Sequence, residues 1–191
     1  MTCSISIENL GIRNDEDTQI LYGDGTGQNI SGISTNAQAY ATNEDLSDAN
    51  VQRWDILRDA IRVARVDEYR ANLIILHPED FATLELTKDT QGRYILPSIL
   101  PGGVAPSVSR VPIMESTAVT ADDFFVGDFR RGGMLFDKLE SRIRFFEQDR
   151  DNVIKNLVTV VAEERIAFPI WRSNAFVYGD FSDALLAGTG A

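Results

Sequence analysis

The most informative hydrophobic pattern lies late in the chain. Read with period two, residues 157–168 place Val158, Val160, Ala162, Ile166 and Phe168 on one face and Leu157, Thr159, Val161, Glu163 and Arg165 on the other. Helical spacing also fits Val153, Ile154, Leu157, Val160 and Val161, but it then meets Glu164, and β-branched residues dominate the run. The run therefore predicts a long strand. Glu163, Glu164 and Arg165 at its middle forbid complete burial, because unpaired charge is too costly inside a core, so the strand is covered on one side or reaches a partner. Just upstream, Leu139, Ser141, Ile143 and Phe145 alternate with Arg142 and Arg144, which predicts a half-buried strand beginning near Met134. The two strands form a hairpin connected by residues 148–156. A thin ribbon charged on both sides buries little by itself, and it is expected to rest on an N-terminal helix or on another subunit.

The remaining pattern is mixed helix and strand. Residues 16–21 read as the end of a helix that stops at Gly23, and residues 35–43, small and polar, read as a loop. Residues 48–65 carry Trp54, Leu57, Ile61 and Ala64 on one stripe, with Ser47 as the expected N-cap. The row Arg58, Arg62, Arg65 on that helix is most simply a solvated face; an anion site or a subunit contact is the functional alternative. Residues 72–76 predict a short buried strand, and His77-Pro78-Glu79-Asp80 opens the next helix, which makes His77 a cap rather than a catalyst or ligand. Residues 97–106 hold three prolines and two glycines and form a loop. Strands are expected at 110–116, 123–129 and 175–181; the last two share an echo, DFFVGDF and FVYGDF, consistent with neighbouring strands or with coincidence.

Composition narrows the function. The 191 residues suffice for one good core or two small ones that share elements. No apolar run approaches the ~20 residues that span a bilayer, and the first residues lack a signal peptide's pattern, so no membrane role is expected. Cys3 and His77 are the only cysteine and histidine, which excludes disulfide frameworks, thiolate zinc sites and most histidine-based catalysis; no metal or cofactor is expected, and a reducing cytosol is the simplest origin. The formal charge of −11 argues against a specific nucleic-acid-binding module, although a container enclosing DNA tolerates it. Gly23, Gly25 and Gly27 look like a phosphate cradle, but the flanking DEDTQILY and QNISGIST do not supply the strand and helix such a cradle needs, so a turn is favoured. Asp149, Asp151, Glu163 and Glu164 are the candidate catalytic carboxylates; no nucleophile or oxyanion hole accompanies them, and an ion-pair cluster is the simpler reading, so the chain reads as no enzyme.

Several stretches in shared order carry a resemblance: DNVIKNLVTVVAEERIAF followed by AFVYGDF, the run ANLIILHPEDFATLELTKDTQGRYIL with its Lys88, Asp89, Gly92, Arg93, Tyr94 turn, and RVPIMES. These resemble the major capsid proteins of tailed bacteriophages, whose shells share the HK97 fold, from about residue 15 to 181. Arg110 stands where that family more often has glycine. The resemblance implies an α+β fold with a peripheral domain, residues 1–35 and 128–168, comprising the β-ribbon and a remnant of the spine helix, and an axial domain, residues 36–127 and 169–187. It implies a phage or prophage shell subunit made in the bacterial cytoplasm, located in the virion capsid, and associating with itself as hexamers and pentamers around DNA, with portal and scaffold proteins as further partners. Residues 88–94 and 97–106 are the expected contacts around the axis. The N-terminal arm, extended loop and most of the spine helix are expected to be absent. The motif KNxxTxxxEER implies a crosslink acceptor at Asn156 assisted by Glu163: a lysine amine would attack the Asn156 carboxamide and release ammonia, with the carboxylate taking the amine's proton. The donor lysine belongs to the absent loop. An encapsulin-like nanocompartment and a small nucleotide-binding enzyme using Gly23–Gly27 are the alternatives.

Overall fold

Alternate side chains of one strand point to opposite sides, and β5 (Asp123–Gly127), buried throughout, uses both. The computed structural model describes residues 2–41, 51–88, 91–92, 107–148 and 152–188. β5 lies inside a six-stranded sheet of order β1-β8-β5-β2-β4-β3, built from β1 (Gln38–Ala39), β2 (Leu73–Leu76), β3 (Ser107–Val108), β4 (Val111–Glu115) and β8 (Phe176–Asp180). β5 runs antiparallel to both neighbours, β2 and β8, whereas β1 joins β8 and β4 joins β2 in parallel. The register pairs Phe125 with Tyr178 and Val126 with Val177, so the two echoing segments are neighbours in one sheet.

Each face has its own core. Phe124, Val126, Ile74, Leu76 and Val177 meet Ile56, Leu57, Ala60 and Ala64 of helix α3 (Arg53–Val66), Leu84 of α4 (Pro78–Glu85), and Phe181 and Ala184 of α6 (Phe181–Gly188). On the other face Phe125, Ile75 and Phe176 meet Leu21 of α1 (Thr2–Tyr22), Ile33 of α2 (Ile33–Asn36), Ala118 and Val119. This is the arrangement of two small cores sharing elements.

Charge ties the helices to the sheet. Arg53 pairs with Asp80 and, at 2.6 Å, with Asp122, while its guanidinium lies 5.0 Å from the centre of the Phe181 ring. Asp80 in turn accepts the Asp122 amide at 2.8 Å, so the starts of α3, α4 and α6 meet the turn before β5. On the opposite face the Tyr22 hydroxyl donates to Asp123 Oδ2 at 2.6 Å and the Tyr178 hydroxyl donates to the same atom at 3.1 Å. The Thr120 amide donates to the Tyr22 oxygen at 3.0 Å, which anchors the end of α1 to the sheet. Burial raises the Asp123 carboxyl above its ordinary range and pushes Tyr178 up to about 12.

Several expectations change. α3 begins at Arg53 rather than residue 48, capped by Gln52 through a reciprocal box with Asp55, so Ser47 does not cap it. Of residues 35–43, the described part, 35–41, is not one loop: α2, with Ile33 buried, runs into it, and β1 pairs its backbone with β8, a long-range contact that has no local pattern. Phe181 does not end a strand but opens α6, with the Asp180 carboxylate accepting the Ser182 amide at 2.6 Å. His77 is the cap of α4, its Nδ1 accepting the Glu79 amide at 3.2 Å. Residues 97–106, and Asp89, Arg93 and Tyr94 of the 88–94 turn, lie outside the described residues.

Two measurements test this core. Phe124 is fully buried against Tyr40 and Phe181, with ring centroids 5.5 and 4.8 Å away. Phe124→Ala is expected to cost about 3–5 kcal/mol in urea unfolding. The second concerns Asp123, whose raised folded pKa means the folded chain holds that proton more tightly than the unfolded chain. Its charge therefore destabilises the fold above the folded pKa, and the cost disappears as pH falls toward the unfolded value near ~3.9. Asp123→Asn should gain most relative to the native chain at neutral pH, and the difference should shrink toward about pH 4 in parallel urea titrations.

Candidate functional site

The feature that one chain cannot satisfy is the ribbon. β6 (Phe136–Phe146) and β7 (Thr159–Ala167) pair antiparallel, with Phe146 opposite Thr159, Arg142 opposite Glu163 and Phe136 opposite Ala167. Irregularities at Asp137/Leu139 and Leu139/Arg142 bend it. Strand alternation predicts one covered face, yet β6 shows none: most of its side chains are exposed, and the rest are only half-buried. β7 is likewise covered only in part, where α1 touches it.

The apolar side chains gather at the end away from the sheet. The short helix α5 (Asn152–Lys155) closes that end, with Asn152 Nδ2 donating to Phe146 O at 3.3 Å and to Thr159 Oγ1 at 2.8 Å. Around it Ile154 is 86% exposed and Phe145 59%, and Phe146, Leu157, Val158 and Val160 are also exposed. Phe145, Phe146, Thr159 and Val161 help to line an open groove of about 620 Å³. At the sheet end of the ribbon, Phe136 and Trp171 stand exposed against each other, 6.3 Å between centroids. Side chains of this size in water mark a contact surface. Sequence reading put Phe145 on the covered side of β6; the adjacent pair Phe145-Phe146, which puts an aromatic on each face, was the available signal.

Two of the sequence-derived candidates, Asn156 and Glu163, lie on different parts of the ribbon, one just after α5 and one within β7. Asn156 follows α5, exposed, at a φ of 53°. That left-handed conformation is one asparagine tolerates at a helix end. Glu163 lies four residues along β7 from Thr159, roughly 13 Å at strand rise. There its Oε2 accepts Arg142 Nη2 at 2.8 Å and Nε at 3.2 Å, with Arg144 at 4.0 Å. The Arg142 hydrogen bonds hold its carboxyl below the usual glutamate range. Glu164 faces α1, near Glu16; Asp149 and Asp151 lie outside the described residues.

The glycine turn has no room for phosphate chemistry. Asp24 fills it: Oδ1 accepts the Thr26 amide at 3.0 Å and Asn29 Nδ2 at 2.8 Å, and Oδ2 accepts the Thr26 hydroxyl at 2.6 Å. These bonds hold the carboxyl down at about 2, so a fixed anion occupies the place of a phosphate. The amides of Gly23, Gly25, Asn29 and Ile30 are also already bonded. Gly25 and Gly27 serve the turn itself, at φ of 69° and 63°.

Comparison with known proteins agrees with this geometry. The Phage capsid family matches residues 9–181. Over 176 residues the chain is 35% identical to the major capsid protein of Enterobacteria phage HK97, a match covering 90% of this chain and 44% of that protein. The chain thus spans less than half the length of that relative. Among solved structures, the capsid of an empty GTA particle superposes with a TM-score of 0.70 at 18% identity, over 93% of this chain and 64% of that one. The SrpI encapsulin of Synechococcus elongatus gives a TM-score of 0.57 at 17% identity, over 93% of this chain and 63% of its own. The fold is therefore the α+β HK97-like capsid fold, and with the family match running through nearly every described element, the chain belongs to the phage capsid family.

Proposed function

We propose that this chain is a structural subunit of a phage or prophage capsid, self-associating into hexamers and pentamers that form a shell around DNA and that reside in the virion. The observation that carries this reading is the ribbon, whose two faces and apolar end remain in water in a single chain. Ribbons of this kind are poorly stable alone, and copies around a symmetry axis supply the missing cover. The two sheets support the division expected from sequence. All six strands of the main sheet fall within 36–127 and 169–187, the axial domain, and both ribbon strands fall within 128–168, which with 1–35 makes the peripheral domain. Synthesis in the bacterial cytoplasm and contacts with portal and scaffold proteins follow from the same reading.

The work of such a subunit is done by its surface, not by a reaction centre. Glu163 serves the ribbon's register through Arg142, and Asn156 serves its turn. An encapsulin-like compartment shares the fold and would need a cargo-peptide groove on its inner side; the sequence match to a phage capsid favours the virion.

Two experiments bear on this. Phe145→Ser combined with Ile154→Ser should leave circular dichroism unchanged, since neither side chain is buried, while reducing the particle mass seen by light scattering and the rings or shells seen by electron microscopy. Normal particles from that variant would remove the ribbon end from assembly. Arg142→Ala should raise the Glu163 titration midpoint toward the ordinary glutamate value near ~4.3 in carboxyl-detected NMR. No movement would mean that Arg142 does not hold this carboxylate.

A further inference from the structure

The chain is strongly acidic, yet seven of its 18 basic residues line one continuous surface together with only two of its 29 acidic ones. Arg58, Arg62 and Arg65 follow one another at helical spacing along the outer side of α3. Arg70 follows that helix, Arg110 lies in the turn between β3 and β4, and Arg130 and Arg131 lie in the turn after β5. Together they line two adjoining open grooves of about 600 and 610 Å³ that share Arg65, Arg70 and Arg110. All seven side chains are exposed. Among the described residues Arg62 pairs with Asp59, and the other six form no ion pair. The Asp128 carboxylate in the groove is buried and accepts from Asn72 and the Arg130 amide. The Ser109-Arg110 turn holds both residues at positive φ, 49° and 71°, where Asn-Gly is the usual choice. A guanidinium is thus presented on backbone that favours a smaller residue.

The complementary half lies elsewhere on the same chain. α1 packs against β7 of the ribbon, where Glu164 lies two residues along the strand from Ile166, the partner of Asp137 on β6; Glu16 and its neighbour Asp17 on α1 bring further carboxylates to this place, with Arg13 as the nearby cation. Asp17 and Asp137 are exposed, and Glu164, Asp17 and Asp137 each place like charge near the half-buried Glu16. We propose that the arginine groove of one subunit receives the Glu16, Asp17, Asp137, Glu164 cluster of a second copy, head to tail. Resting on the shell reading above, this names a pair of surfaces that joins neighbours. The contact is heterologous, and repetition around an axis closes it into a ring. A nucleic acid is the weaker occupant, because the net charge of −11 repels phosphate at long range, whereas a second copy brings its carboxylates at fixed spacing.

Sedimentation velocity of the native chain at about 50 mM salt, and again at about 500 mM, tests this, because screening acts strongly on exposed charges over that range. The native chain should associate at low salt and weaken at high salt. Arg65→Glu with Arg110→Glu, and separately Asp17→Lys with Asp137→Lys, should each weaken self-association about tenfold or more while remaining folded by circular dichroism. Mixing the two variants, or combining all four substitutions in one chain, should restore it. If the Arg65→Glu/Arg110→Glu chain associates normally while the Phe145→Ser/Ile154→Ser chain does not, the shell reading stands and the groove contact is overturned. If the mixture stays dissociated and the native groove instead retains a short single-stranded DNA that the arginine variant releases, the groove belongs to nucleic acid and the proposal falls. A native chain that never associates overturns both.

Discussion

The ladder that β5 makes with β8 on one side and β2 on the other is the constraint on which the rest depends. It brings residues 73–76, 123–127 and 176–180 side by side, although they are far apart in sequence. Because a pleated strand sends successive side chains to opposite faces, Phe124 and Phe125 then commit to different cores. A slip of one residue would exchange them and leave both helix layers without partners. Gly179 is tied to the same register: a side chain there would come within 2.6 Å of the Phe124 ring, so the glycine in β8 and the placement of Phe124 require each other.

Charge is arranged around that sheet in two ways. Near it, Arg53 with Asp80 and Asp122, and Asp123 with Tyr22 and Tyr178, satisfy polar groups that burial would otherwise penalise. Away from it, like charge gathers: arginines collect between α3 and the turns at 109–110 and 130–131, and carboxylates collect where α1 meets the ribbon. A fold that gathers like charges into separate exterior patches has surfaces suited to meeting copies of itself. The exposed aromatics and aliphatics of the ribbon end add an apolar contact to the same exterior.

Much of this was legible beforehand, for identifiable reasons. Period-two alternation located the strands at 136–146 and 159–167 because each is long enough to show it. His77-Pro78 located the start of α4 because capping is local chemistry. The order of short motifs was sufficient to identify the family. What stayed illegible was non-local: the two-residue β1 is a partner of β8, and α2 is four residues long with one buried isoleucine. The beginning of α3 was misplaced because Gln52 is an unusual cap, its backbone amide donating to the Asp55 carboxylate at 3.0 Å to complete the box.

The candidate site shows the same division. The sequence by itself determined which residue types were present: a charged ribbon, an arginine row on a helix, a glycine turn, and one cysteine and one histidine, all following from local pattern and composition. Only the tertiary structure decided that Asp24 closes the glycine turn, that Glu163 answers Arg142, and that arginines from one helix and two distant turns share a surface. The reason is physical: a charge's role depends on which opposite charge lies within a few ångströms, and that proximity is set by long-range strand pairing and not by neighbours along the chain.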